Sequence, residues 1–350
     1  MAAIARIHHT LRYPAVFRRQ LTTLYNLSNR SLQRTTSNRS DVSLTHVRES
    51  SSSQDGEVKM DKSLLGKLRK ETGFGFSKCR EALVLTRNDY AAAEAWLHEQ
   101  AEKEGWQKAN KLQGRSATEG LIGVIVNHSD MNLGAMVEVN CETDFVARNE
   151  NFVDLVNTVT STTLAYRRGI IQRNQKLNMF GDQVTHLREF ILTHELSNLR
   201  VEHNNPDSML LSDMVAKVIG KLGENIKLGK AITITTDSDN VIGSYVHGPY
   251  VTKVHQCSFG KYGAMVAVKP IKKGIDTSSL ALLANKLAQH VVGMNPKVIG
   301  QGGEADEKGG ESEALLDQEY LLDGSLTVGQ FTEKEGVQVV DFVRYECGAK

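Results

Sequence analysis

One stretch of sequence occurs twice, and it limits the possible folds more than any other feature. Leu133-Gly-Ala-Met-Val-Glu-Val-Asn140 aligns with Tyr262-Gly-Ala-Met-Val-Ala-Val-Lys269. A shorter match lies upstream of each copy: Ile122-Gly-Val-Ile-Val126 before the first and Ile242-Gly-Ser-Tyr-Val246 before the second. Each upstream segment reads as a strand, and strand, loop and second strand make a β-hairpin. Helical patterns follow both hairpins, through Phe145, Val146, Phe152, Leu155 and Val156 in one copy and through Leu280, Leu283, Leu287 and Val291 in the other. A hairpin-plus-helix unit used twice predicts a duplicated core of two α+β subdomains with small antiparallel sheets. Further strands are expected at 231–235 and 337–347, with a helix over 211–221 bridging the halves.

The ends of the chain differ in charge. Residues 1–45 hold seven Arg, no Lys and a single acid, Asp41, and Ser and Thr are dense from Thr22 to Thr45. Arg-rich, Ser-rich and acid-poor is the composition of a mitochondrial transit peptide, which places the mature protein in the mitochondrial matrix. Removing that segment leaves 35 basic against 40 acidic side chains, a net charge of about −5. A chain so charged has no general electrostatic reason to bind nucleic acid. No apolar run approaches a membrane span. Cys79, Cys141, Cys257 and Cys347 lie far apart without a C-x-x-C pair, so reduced thiols are expected rather than a disulfide framework.

After a polar linker at 46–60, helical periodicity begins. Leu64, Leu65 and Leu68 line one face of a first helix that should end at Thr72-Gly73. Ser77 is a candidate N-cap for a second helix, and Asn88 or Asp89 for a third. The turn between the first two, Thr72-Gly-Phe-Gly-Phe76, resembles the Gly-Phe loop of a ubiquitin-associated domain. The expected segments are therefore a transit peptide at 1–45, the linker at 46–60, a three-helix module at 61–105, and core subdomains at 115–210 and 211–350.

The two repeat copies differ where strand meets helix. The first reads Glu142-Thr-Asp-Phe-Val-Ala-Arg-Asn-Glu150 and the second Pro270-Ile-Lys-Lys-Gly274. Thr143 or Asp144 can cap the first helix, which places Phe145 in its first turn. What differs between copies of a structural repeat is a candidate for function. Machinery for catalysis is not evident: no P-loop, no dinucleotide fingerprint, and no zinc spacing around His247, His255 and Cys257. The pattern favours a binding protein without a cofactor or metal, one that does not itself hold a nucleotide.

Thr143-Asp-Phe-Val-Ala-Arg-Asn149 resembles the most characteristic motif of translation elongation factor Ts, and Thr72-Gly-Phe-Gly-Phe-Ser-Lys-Cys-Arg80 resembles that family's N-terminal motif. Ile219-Gly-Lys-Leu-Gly-Glu-Asn-Ile226, Gly243-Ser-Tyr-Val-His-Gly248 and Val339-Val-Asp-Phe-Val-Arg-Tyr-Glu-Cys347 are further matches, the last to the mitochondrial branch. The resemblance implies a ubiquitin-associated-like helical domain before a duplicated core. It also implies guanine-nucleotide exchange on the GTPase elongation factor Tu, achieved by binding rather than by enzymatic chemistry. By motif, Asp144 and Phe145, flanked by Thr143, would reach the GTPase, with Phe145 as an apolar wedge. Phe76 and Arg80 would dock the helical module, supported by Leu68, and His247 would be a second core contact. Residues 300–312 stand where many bacterial members insert a coiled coil, and they carry no heptads. The alternative is an adaptor for ubiquitin-like proteins, resting on the helical module alone.

Overall fold

The computed structural model describes residues 60–127, 129, 131–176, 187–202, 205–248, 252–254, 256–300 and 312–349. The segment expected to be transit peptide, the expected linker except Met60, His255 and most of the 300–312 loop lie outside these residues.

The described residues begin with three helices, α1 (Lys62–Thr72), α2 (Phe76–Leu85) and α3 (Tyr90–Leu112). Asp61 caps α1 by accepting from the Ser63 backbone N–H at 2.7 Å, and Gly73 ends it in the left-handed region at φ 72°. The cap of α2 differs from expectation. Gly75 is the N-cap and makes no side-chain cap bond, so Phe76 opens the helix and Ser77 lies inside it. Asp89, not Asn88, caps α3. Asn88 instead accepts from the Asp61 N–H at 3.0 Å, closing the module on itself. Leu65, Leu68, Phe74, Cys79, Leu83 and Leu97 form its core.

The module does not end at residue 105. Helix α3 continues to Leu112 and lies along a later helix, α7 (Leu211–Leu222). The crossing is made of small residues. A Cβ added to Gly105 would come within 2.6 Å of the Ala216 carbonyl oxygen, and one added to Gly220 within 2.6 Å of the Ala101 carbonyl oxygen. Polar ties flank it: Lys108 Nζ donates to the Gly220 carbonyl at 3.0 Å, and Trp106 Nε1 to Asp213 at 3.2 Å. A helix shared between module and core, packed backbone to backbone, leaves no flexible joint there.

The core holds two antiparallel sheets. Strands β1 (Glu119–Val126) and β2 (Leu133–Cys141) form the first expected hairpin. They lead to a four-residue helix, α4 (Asp144–Ala147), and then to the long α5 (Glu150–Lys176). β3 (Leu187–Ile191), the short α6 (Thr193–Ser197), α7 and β4 (Ile226–Thr235) follow. β5 (Val241–His247), β6 (Thr252–Val254), β7 (Cys257–Gly260) and β8 (Tyr262–Pro270) come next, then α8 (Thr277–Met294), α9 (Val328–Glu335) and β9 (Val337–Glu346). The six-stranded sheet runs β3-β4-β2-β1-β7-β6 and the three-stranded sheet β5-β8-β9.

Both repeat copies hold one register: Gly123 sits opposite Val137 in the first pair, and Gly243 opposite Val266 in the second. The glycine is there for closeness of approach. A Cβ on Gly123 would strike the Thr160 hydroxyl of α5, and one on Gly243 the backbone of Ala284 and Asn285 in α8. The second glycine of each copy meets the other sheet. A Cβ on Gly134 would lie 2.7 Å from Met265 Sδ, and one on Gly263 3.1 Å from Met136 Sδ. The sheets therefore face each other across a shared core of Ile122, Met136, Ile232, Ile242, Met265 and Val343, with α5 and α8 outermost.

That arrangement corrects three expectations. The copies are not separable blocks, because β6 and β7 leave the second copy and pair with β1 of the first sheet. A boundary at 210 fails, because β4 pairs with β2 and β3. Helix α7 does not bridge the halves: Leu211, Val218 and Ile219 belong to the core beneath α5.

In the second half, His290 is fully buried and accepts at Nδ1 from the Leu321 N–H at 3.1 Å, which leaves Nε2–H to donate to Gln318 Oε1 at 2.9 Å. Burial pushes this imidazole below its ordinary value, against a smaller opposing effect of Gln318. The unfolded chain then binds the extra proton first. Stability contributed by neutral His290 should be intact above about pH 6.5 and fall as pH drops below it. Urea unfolding of the wild type and of His290→Gln at several pH values checks this; the variant should show the shallower loss below that pH.

Candidate partner-binding surface

Strand β2 ends at Cys141, and the chain turns outward through Glu142 and Thr143. Thr143 has extended backbone at φ −127° and caps α4, its Oγ1 accepting from the Val146 N–H at 3.3 Å. Thr143 and not Asp144 is thus the cap. Val146 and Ala147 turn into the core, while Phe145 is 78% exposed. Asp144, beside it, pairs with Arg148 one turn on. Anchored from below, the short helix holds a bare aromatic ring in water.

The anchor comes from 81 positions away. Glu224 accepts from the Thr143 N–H at 3.1 Å and from its hydroxyl at 2.8 Å. The contact is mirrored by its neighbours: Glu142 Oε1 accepts from the Asn225 N–H at 2.7 Å, and Asn225 Nδ2 donates to the Arg115 carbonyl at 2.7 Å. Glu224 lies in the 219–226 motif, so the sequence marks its neighbourhood, but nothing local marks its pairing with Thr143.

Phe76 is the first residue of α2 and 52% exposed; Arg80, one turn later on the same side, is exposed too. Leu68 is a correction. It is fully buried in the core of the module and offers no surface to a partner. Phe74 is likewise core, with its ring edge-on to His98. The turn carrying Phe76 rests on the element that follows Phe145: a Cβ on Gly73 would strike Asn151, and Lys221 Nζ sits 5.5 Å over the Phe74 ring and 3.4 Å from Asn151 Oδ1.

His247 ends β5, exposed, with its ring 6.4 Å from both Tyr245 and Tyr262. Its carbonyl accepts from Lys261, whose ammonium pairs with Glu119, the partner of Cys141 in the sheet. His247 therefore lies at the end of the sheets from which β2 delivers Thr143.

Among the described residues, no cluster of three or more His, Cys, Asp or Glu side chains forms a metal site, and no helix is long and apolar enough to cross a membrane. Burial pushes the Cys141, Cys257 and Cys347 thiols up to about 12, a setting for inert thiols rather than nucleophiles.

Residues 48–107 match the family model "Elongation factor Ts, mitochondrial, N-terminal", and residues 142–308 match "Elongation factor TS". Elongation factor Ts, mitochondrial, of Xenopus laevis is 43% identical over 295 residues, covering 82% of this chain and 87% of that protein. The Homo sapiens protein of that name is 42% identical over 289 residues, covering 82% and 83%. The chain belongs to the elongation factor Ts family. The elongation factor Ts core match begins at Glu142, one residue before the Thr143 cap, and the N-terminal match takes in the turn with Phe76 and Arg80.

Proposed function

We propose that this chain is the guanine-nucleotide exchange factor of elongation factor Tu in the mitochondrial matrix, delivered there by a transit peptide within residues 1–45. The observation that carries the reading is Phe145, exposed on a short helix whose cap is clamped to Glu224 in the turn after α7. A factor that weakens GDP binding must itself be held less tightly by the GDP form, by the same factor. It needs contacts that become available chiefly when the nucleotide site is distorted. A rigid aromatic ring, already exposed in the free protein, suits that task, and Asp144 beside it can accept hydrogen bonds from displaced groups. The helices at the N-terminus serve as a ubiquitin-associated-like docking module, and the matching registers of the two repeat copies favour an origin by duplication. The covering of Gly73 and Phe74 by Asn151 and Lys221 counts against the adaptor reading. Release of labelled GDP from purified mitochondrial elongation factor Tu tests the proposal. Acceleration at substoichiometric factor supports it, and no acceleration at any factor concentration overturns it.

Docking and exchange should separate kinetically. Phe76→Ala should raise the factor concentration needed for half-maximal release by roughly tenfold, the equivalent of about 1.4 kcal/mol of contact, and leave the maximal rate within about twofold. Loss of maximal rate instead would move Phe76 into the exchange step.

A further inference from the structure

We infer that Glu224 is a positioning residue for exchange, acting through Thr143 to hold Asp144 and Phe145 in their working orientation; this rests on the exchange function proposed above. Helix α4 has four residues and cannot hold itself, since an isolated turn of that length lacks the cooperativity to persist in water. Burial of Val146 and Ala147 holds one face of it against the core. Its N-terminal end is tied down by the two donors of Thr143, which both point at the Glu224 carboxylate.

Two hydrogen bonds to one charged acceptor set direction as well as distance. Gly223 ends α7 in the left-handed region at φ 76° and turns Glu224 back toward α4. The reciprocal bond from Asn225 N–H to Glu142 prevents the two loops from sliding past each other. Helix α7 is itself fixed along α3 by the crossing of Ala101 and Gly105 with Ala216 and Gly220. Lys221, three residues before Glu224, reaches the Phe74 ring and Asn151. The end of α7 thus touches the docking module and the start of α5, and the turn just beyond it holds the cap of α4.

The experiment compares Glu224→Ala, Glu224→Gln, Thr143→Ala and the double variant Glu224→Ala/Thr143→Ala, each checked by thermal melting, in GDP release over a range of factor concentration. Glu224→Ala should lower the maximal release rate about tenfold and change the half-saturating concentration by less than about threefold. Glu224→Gln keeps one acceptor oxygen for the hydroxyl and should restore part of the rate. The double variant should lose less than the product of the two single losses, because both changes remove the same hydroxyl–carboxylate bond, while Thr143→Ala alone also removes the α4 cap and keeps its N–H bond to Glu224. A folded Glu224→Ala with an undiminished maximal rate, or a double variant whose losses simply add, overturns the positioning role. Should Glu224→Ala not fold, Glu224→Gln and Thr143→Ala decide by the same criterion. A wild type that fails to release GDP overturns the exchange function itself. A wild type that works, with Phe145→Ala slow and Glu224→Ala fast, overturns only the role of Glu224.

Discussion

Phe145→Ala should cut the maximal rate of GDP release from elongation factor Tu by about ten- to a hundred-fold while leaving the melting temperature where it was. The magnitude follows from burial: a phenyl ring taken from water into a partner yields roughly 1.5–3 kcal/mol, and each 1.4 kcal/mol is tenfold in rate. The indifference of folding follows from exposure. A ring 78% in water contributes little packing to its own domain, so its removal leaves no cavity. GDP release at saturating factor, with a melt on the same preparation, measures both. A much lower melting temperature would place Phe145 in the core, and a folded variant at full rate would remove it from the mechanism.

Gly243→Ala should be among the most damaging small changes in the core. The methyl group would fall inside contact distance of the Ala284 carbonyl carbon and the Asn285 nitrogen. Those are backbone atoms of α8, which has Leu280, Leu287 and Val291 buried on the same sheet, so the helix cannot back away cheaply. We expect about 3 kcal/mol of destabilisation, toward the upper end for overpacking. That lowers the melting temperature by about 5 °C in a protein of this size. Gly66→Ala is the internal control. Gly66 lies within α1 with nothing within 4 Å of an added Cβ, so the same methyl group there should stabilise by about 0.5–1 kcal/mol. Similar shifts for both variants would refute the close-approach argument.

Which features could be read in advance follows the range of the interactions behind them. The hairpins were legible because Gly-Ala-Met-Val recurs with an upstream strand at matching spacing, and local pairing sets the register. Caps were half legible: Asp89 and Thr143 stood among the candidates, but Phe76 took the first position of α2 because Gly75 could turn the chain without a side-chain cap. The burial of Leu68 accords with its place on the apolar stripe with Leu65; its assignment as a contact came from motif resemblance, which does not distinguish touching from supporting. The face-to-face sheets left a trace that the hairpin reading did not use. Every residue of β2 is buried, and its first five residues, Leu133 to Val137, run without a polar alternation, which is what a strand covered on both faces looks like. Glu224 was beyond reach, since no local rule joins it to a threonine 81 positions earlier.

The crossing of β6 and β7 into the first sheet has a consequence for synthesis of the chain. Strand β1 emerges early, yet part of its free edge is not covered until residues 257–260 have been made. Strand β8 in turn waits for β9, whose residues 337–346 lie close to the C-terminus. Until then β8, with Ala264 to Val268 wholly buried in the finished fold, presents an open apolar edge of the kind that pairs with other chains. Nascent chains of this protein therefore pass through a long window in which they invite intermolecular strand pairing. Premature termination before residue 337 should yield an aggregating product rather than a smaller working factor, so a chaperone that shields strand edges has its greatest effect in that interval.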